Sequence, residues 1–166
     1  MRLLVASDHG GFDLKRLLAA HARSLGHEVI DVGPHAADAV DYPDFAHQVA
    51  RRQLAGEAER GVLLCGSGIG MAIAANRHPG IRAALCHDAF TAEVARRHNN
   101  ANVLCLGGRT TGAGVALQIL ELFLTLAFDG GRHERRVEKI EQIAGSTVGK
   151  PSSDVHISLI PKEKRP

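Results

Sequence analysis

The sequence predicts an α/β fold, a Rossmann-like three-layer sandwich in which a five-stranded parallel sheet carries helices on both faces. Three observations predict it. Short apolar runs alternate five times with segments of helical period, and the connections between them are short. Aromatic residues are scarce, five Phe and one Tyr with no Trp, so the core draws on Leu, Val, Ile and Ala. That palette suits strands buried on both faces by helices. A chain of 166 residues has room for one such domain.

The elements follow in order. Arg2–Ser7 is an apolar run with few polar interruptions, a buried first strand, and it stops at Asp8-His9-Gly10-Gly11. Phe12, Leu14, Leu17, Leu18, His21 and Leu25 then recur at helical spacing until Gly26 closes the helix. His27–Val32 is the second strand, and after a polar loop Tyr42-Pro43-Asp44 opens a helix running to about Ala55. Gly61–Cys65 is the third strand, and Gly66-Ser67-Gly68-Ile69-Gly70 leads from it into a helix over Met71–Arg77. Ile81–Cys86 is the fourth strand, Ala89–Arg97 its helix, and Val103–Leu106 the fifth strand. Gly112–Phe128 is a long apolar helix broken by Gly130-Gly131, and Arg132–Ile143 is a last, amphipathic one. Residues 1–144 read as one domain. Residues 145–166 change to Ser, Pro, Gly and Lys and read as a tail. Within it Val155, Ile157 and Leu159 alternate with polar residues, which suits either a frayed terminus or a short strand packed on a neighbouring subunit.

Charge and composition exclude several functions. Residues 1–144 carry equal numbers of basic and acidic side chains, and the excess behind the net charge of +2 lies in the tail. A nucleic-acid binder needs a dense basic face with stacking aromatics, and neither is present. No apolar run reaches the roughly 18–20 residues of a membrane span, and the N-terminus lacks the apolar core and cleavage site of a signal peptide. Three cysteines (Cys65, Cys86, Cys105) without CxxC spacing fit a reduced, cytoplasmic protein better than a disulfide framework or zinc site. The ten His include no HxH or HExxH, so no metal is expected.

Ligands of open parallel sheets bind beyond the carboxyl ends of the strands. Four such ends carry capable groups: Asp8-His9-Gly10-Gly11, Cys65-Gly66-Ser67-Gly68, Cys86-His87-Asp88 and Gly107-Gly108-Arg109. The glycine-rich turn after Cys65 brings several N–H groups toward one point at a helix N-terminus, which favours an anion or developing negative charge. A dinucleotide fingerprint would need Gly where Met71 stands, and a GxxxxGK loop is absent. A free Cys at a strand end is commonly a core residue, but the helix N-terminus beside Cys65 favours its thiolate. The Asp8-His9 pair reads equally as a helix cap and as an acid–base or substrate-binding pair. His98-Asn99-Asn100-Ala101-Asn102 reads as a turn, since Asn tolerates left-handed backbone. Arg132 and Arg136 share a helix face. The ordinary reading of that face is solvated surface; the alternative is a phosphate clamp that Arg109 could join.

Taken together, SDHGG (7–11), DYPD (41–44), CGSGIG (65–70), AAN (74–76), GIRAALCHD (80–88), RHNNANVL (97–104) and GGRHERRVEKI (130–140) resemble the ribose-5-phosphate isomerase B family, which also includes the galactose-6-phosphate isomerase subunits. The resemblance covers about residues 1–144. It implies a cofactor-independent aldose–ketose isomerase of phosphorylated sugars, with ribose 5-phosphate first among the substrates. It implies that Cys65 is the base that moves a proton between C2 and C1. Ser67, where many members have Thr, and the N–H groups of Gly66, Ser67, Gly68, Ile69 and Gly70 would hold the enediolate oxygen. His98 would open the sugar ring, Asp8 and Asn99 would hold sugar oxygens, and His9, Arg109, Arg132 and Arg136 would surround the phosphate. Tyr42 would line the pocket. Some members use a Glu just after the glycine loop, where this chain has Met71. Because the chain carries both Cys65 and His98, the resemblance implies a homodimer with shared pockets as the minimum assembly, with a tetramer also open. Rival readings are a non-enzymatic flavodoxin-like nucleotide-binding or sensor domain and an NAD-linked enzyme. Neither gives a reason for Cys65, His98 and paired arginines together.

Overall fold

A computed structural model describes residues 1–142; the tail, with its alternating Val155, Ile157 and Leu159, lies outside the described residues. The strands are β1 (Arg2–Ser7), β2 (Glu28–Gly33), β3 (Arg60–Cys65), β4 (Ala83–Leu85) and β5 (Val103–Gly107). The helices are α1 (Phe12–Ser24), α2 (Tyr42–Leu54), α3 (Ile69–Ala75), α4 (Ala89–Arg97), α5 (Ala113–Thr125) and α6 (Glu134–Glu141). Short 3-10 turns at His9–Gly11 and Gly131–His133 precede α1 and α6. The strands form a single parallel sheet in the order β2-β1-β3-β5-β4.

Successive residues of a strand face opposite ways, and the two halves of the core follow that rule. Leu3, Val5, Val62, Leu64, Leu104 and Leu106 pack under α1, α4 and α5. Leu4, Ala6, Leu63, Cys65, Val103 and Cys105 pack under α2 and α3. The central strands are buried on both faces, so the predicted three-layer sandwich is what forms.

The elements differ from expectation where side chains intervene. On α1 the inward stripe is Leu14, Lys15, Leu18, Ala19 and Ala22, whereas Leu17 and Leu25 face outward. Lys15 is fully buried, and its ammonium reaches the Asp31 carboxylate (2.8 Å) and the Pro34 carbonyl (2.7 Å). Such a pair is costly to halve, because a lone buried charge remains. The fourth strand has three residues rather than six. The Arg82 N–H turns to the Asn102 side chain (2.8 Å), and the Asn76 amide takes both the N–H and the carbonyl of Ala83 (2.8 Å each). The fifth helix is shorter than Gly112–Phe128, since Gly112 and Leu126 have extended backbone. The Arg60 guanidinium caps the Phe123 carbonyl and Arg96 caps that of Leu126. Burial and the neighbouring Arg96 push Arg60 down to about 10.

Between α2 and the turn after α3, His47 Nδ1 and His78 Nε2 lie 2.8 Å apart and share one proton. Burial, then His47 and Arg51, hold His78 below the ordinary imidazole value. A histidine with a lowered folded pKa binds its proton more readily in the unfolded chain. Stability is therefore intact above about pH 6.5 and falls as the pH drops below it. Melting temperatures measured from pH 8 to 5 should show that fall, and His78→Asn should flatten part of it. An unchanged profile would count against the pair.

Candidate active site

The chain leaves β1 to build β2 on one side and later returns to build β3 on the other, so a crevice opens beyond the carboxyl ends of β1 and β3. Asp8 follows β1 and Cys65 ends β3. The register sets Ser7 beside Leu64, and Cys65 beside Gly107 of β5. The crevice is lined by Asp8, Tyr42, Cys65, Gly66, Ser67, Ile69, Gly70, Ile73, Arg109 and Thr110.

Each residue is placed by local structure. The buried Asp8 side chain accepts the Gly11 N–H (3.1 Å), so the cap reading of this residue holds while it also lines the crevice. Gly68 has left-handed backbone (φ 79°) and caps α3, which therefore starts at Ile69, two residues before the Met71 expected from the sequence. This turn aims the Gly68 N–H at Cys65 Sγ (3.0 Å). Ser67 Oγ accepts the Ile69 N–H at 3.4 Å. Arg109 is tied to the loop through its backbone N–H on the Gly66 carbonyl (3.0 Å). Met71 is fully buried in the core. Burial raises the other two thiols, Cys86 to about 11 and Cys105 well above its usual value, so both remain thiols near neutrality.

Tyr42 rests on Gly70, where an added Cβ would lie 2.5 Å from the ring. Tyr42 is the sole tyrosine and the chain has no Trp, so intrinsic fluorescence reports on this ring. Gly70→Ala should change Tyr42 emission and its quenching by acrylamide. The partly exposed ring can swing outward, so the melting temperature should move by only about 2–4 °C or less. Unchanged emission would mean that the ring does not depend on the glycine.

The remaining predicted residues do not line this crevice. His9 is exposed in the turn after Asp8, and Gly68 is buried behind the loop. Asn99 lines a separate groove beside β4. His98 ends α4, and its ring stacks on His133 with centroids 4.2 Å apart and planes 5° apart. Arg132 and Arg136 are exposed, but they straddle the 3-10 turn and the start of α6 rather than sharing one helix. The bland reading of the Asn run is right for Asn100, at φ 48°, and for Asn102, whose side chain joins the Gly80 carbonyl to the Arg82 N–H. Ile73, Thr110 and His133 were not singled out from the sequence. Ile73 could have been found from its helical spacing to Ile69 and Gly70. No sequence signal marks His133, the one buried polar residue of the GGRHERR run.

A model of the ribose/galactose isomerase family matches residues 3–140. The chain belongs to that family. Ribose-5-phosphate isomerase B of Escherichia coli (strain K12) is 42% identical over 142 residues, 86% of this chain and 95% of that protein. The solved structure of the Clostridium thermocellum ribose-5-phosphate isomerase B superposes with a TM-score of 0.85 at 48% identity, covering 86% of this chain and 97% of that one. That of the Thermotoga maritima enzyme gives 0.83 at 50%, covering 85% and 97%. As a member of the ribose/galactose isomerase family the chain is an isomerase, with the α/β fold of these enzymes. Among the described residues, no three His, Cys, Asp or Glu side chains gather to hold a metal ion. None of the described helices is long and apolar enough to cross a membrane.

Proposed function

We propose that the chain interconverts a phosphorylated aldose and its ketose, ribose 5-phosphate and ribulose 5-phosphate foremost, without a metal or nucleotide. The observation that carries this reading is the Gly68 N–H on Cys65 Sγ at 3.0 Å in a crevice that also holds Asp8, Ser67 and Tyr42. An N–H aimed at sulfur stabilises a thiolate, the form that can take a proton from carbon. Cys65 removes the C2 proton of the open-chain aldose and returns it at C1, while the O2 hydroxyl proton passes to O1, so the C1 aldehyde becomes a hydroxyl and C2 a ketone. The negative oxygen of the enediolate between these steps is held by Ser67 and the remaining N–H groups of the loop, the Gly68 N–H being taken by Cys65 Sγ.

His98 opens the furanose ring, and Asn99 with Asp8 holds the sugar oxygens. His9, Arg109, Arg132 and Arg136 hold the phosphate. Because His98, Asn99, Arg132 and Arg136 stand apart from the crevice of their own chain, we assign them to the crevice of a second copy in a homodimer. The mouth of the crevice supports that assignment. Ile69 and Ile73 on its rim are 52% and 63% exposed, apolar surface of the kind that marks an interface.

The test is ketose formation from a panel of pentose, tetrose and hexose phosphates, before and after exhaustive chelation. Activity with ribose 5-phosphate that survives chelation is expected; activity restored only by a divalent ion would overturn the cofactor-free reading. Inactive Cys65→Ala and His98→Asn proteins, dissociated and reassembled together, should recover roughly a quarter of wild-type activity, since half of random dimers are hybrids with one intact site each. No recovery would mean that both residues serve one site within one chain.

A further inference from the structure

We infer that His133 is a positioning residue, which sets the plane of the His98 ring and the direction of the Arg132 guanidinium at once. The inference deepens the function proposed above and rests on its assignment of His98 to ring opening and Arg132 to phosphate. Two contacts and the burial of the ring carry it. The His133 ring lies parallel to that of His98, 5° apart in plane with centroids separated by 4.2 Å, so His98 cannot rotate about χ2 without losing the stack. Arg132 Nε donates to His133 Nε2 at 3.2 Å. Nε2 is therefore bare, and the neutral ring keeps its proton on Nδ1. Finally, His133 is the buried member of this group, while Arg132 and Arg136 around it are exposed.

The surrounding structure holds the ring in this place. The His133 N–H reaches the Gly130 carbonyl (3.1 Å) across the two left-handed glycines, Gly130 and Gly131. Just before them the Asp129 N–H reaches the Arg97 carbonyl (3.0 Å), and the Asp129 carboxylate meets the Arg97 guanidinium (3.1 Å). Arg97 precedes His98, so the turn that carries His133 is fastened to the end of α4 beside the ring it stacks on. Burial and the adjacent His98, Arg132 and Arg136 lower the pKa of His133, keeping it neutral while cations and a phosphate gather nearby. A neutral ring can accept from Arg132 and stack on His98; a charged one could do neither without repulsion.

The two duties separate by substitution. His133→Phe keeps a flat ring against His98 but removes the acceptor for Arg132. Its KM for ribose 5-phosphate should rise roughly tenfold with kcat within about twofold of wild type. His133→Asn keeps an amide acceptor but loses the stack. Its kcat on ribose 5-phosphate should fall roughly tenfold while KM and the rate on erythrose 4-phosphate, an open-chain sugar, stay near wild type. Two further readouts do not require turnover: the ring-current shift of the His98 protons by NMR, lost in His133→Asn and kept in His133→Phe, and the affinity for inorganic phosphate, lowered only in His133→Phe. If both variants change kcat and KM alike on both sugars, or neither changes anything, His133 is a packing residue and the inference is wrong. If the wild-type chain isomerises neither sugar, it is the proposed function that fails. The ring-current shift and phosphate affinity then decide the positioning role alone.

Discussion

Cys65→Ala is expected to remove about 10²- to 10⁴-fold of kcat, the usual share of a positioned general base, and to leave sugar-phosphate affinity nearly unchanged. A base acting on a C–H bond finds little there to bind in the ground state, so the expected loss belongs to the transition state. No second thiol can stand in. Cys86 is held up at about 11 by burial, and Cys105 is fully buried between β3 and β4. Met71, on the first turn of α3, cannot take a proton. Steady-state kinetics and direct binding of the substrate check this. Retention of more than about a tenth of kcat, a barrier change under roughly 1.4 kcal/mol, would rule out Cys65 as sole base.

His98→Asn should separate two steps that Cys65→Ala cannot. Ribose 5-phosphate is mostly a furanose in solution, so a proton must pass between the ring oxygen and the C1 hydroxyl before the C2 proton can leave. Imidazole gives and accepts protons near neutrality, and Asn does neither. The variant should lose about 10²-fold or more on ribose 5-phosphate, by the same measure of general acid–base catalysis. Erythrose 4-phosphate cannot close a furanose because its terminal hydroxyl is esterified, and its turnover should largely survive. Equal losses on the two sugars would assign His98 to the enediolate step or to the architecture.

The fold was legible because its signals are local. Continuous apolar runs in Leu3–Ala6 and Leu63–Cys65, buried on both faces, with glycines at the turns, leave few alternatives to a parallel sheet between helices. Errors arose where a side chain replaced a backbone partner. Asn102 and Asn76 shorten β4, and Lys15 takes an inward position of α1 that a hydrophobic pattern gives to Leu17. The crevice was legible for the same reason: Asp8, Cys65, Ser67 and Arg109 follow strand ends, and strand ends of one sheet converge. His133 was not legible. Its burial depends on the Gly130-Gly131 turn folding back onto Arg97, a contact between residues distant in sequence. The assignment of His98, Arg132 and Arg136 to a substrate came in the sequence only from resemblance, since no spacing rule brings the end of α4 or the start of α6 to the crevice.

The Asn76 carboxamide has a wider consequence. It presents one donor and one acceptor to Ala83, as a peptide group of a neighbouring strand would, and so ends the sheet with a counterfeit strand one residue long. An extended segment of another molecule approaching this margin finds the pairing groups of Ala83 already engaged. Lateral strand addition is a common route from folded monomers to insoluble aggregates. A single exposed amide thus occupies the pairing groups of Ala83 at the margin beside β4, and Asn76→Ala would leave a peptide N–H and carbonyl there open to an added strand.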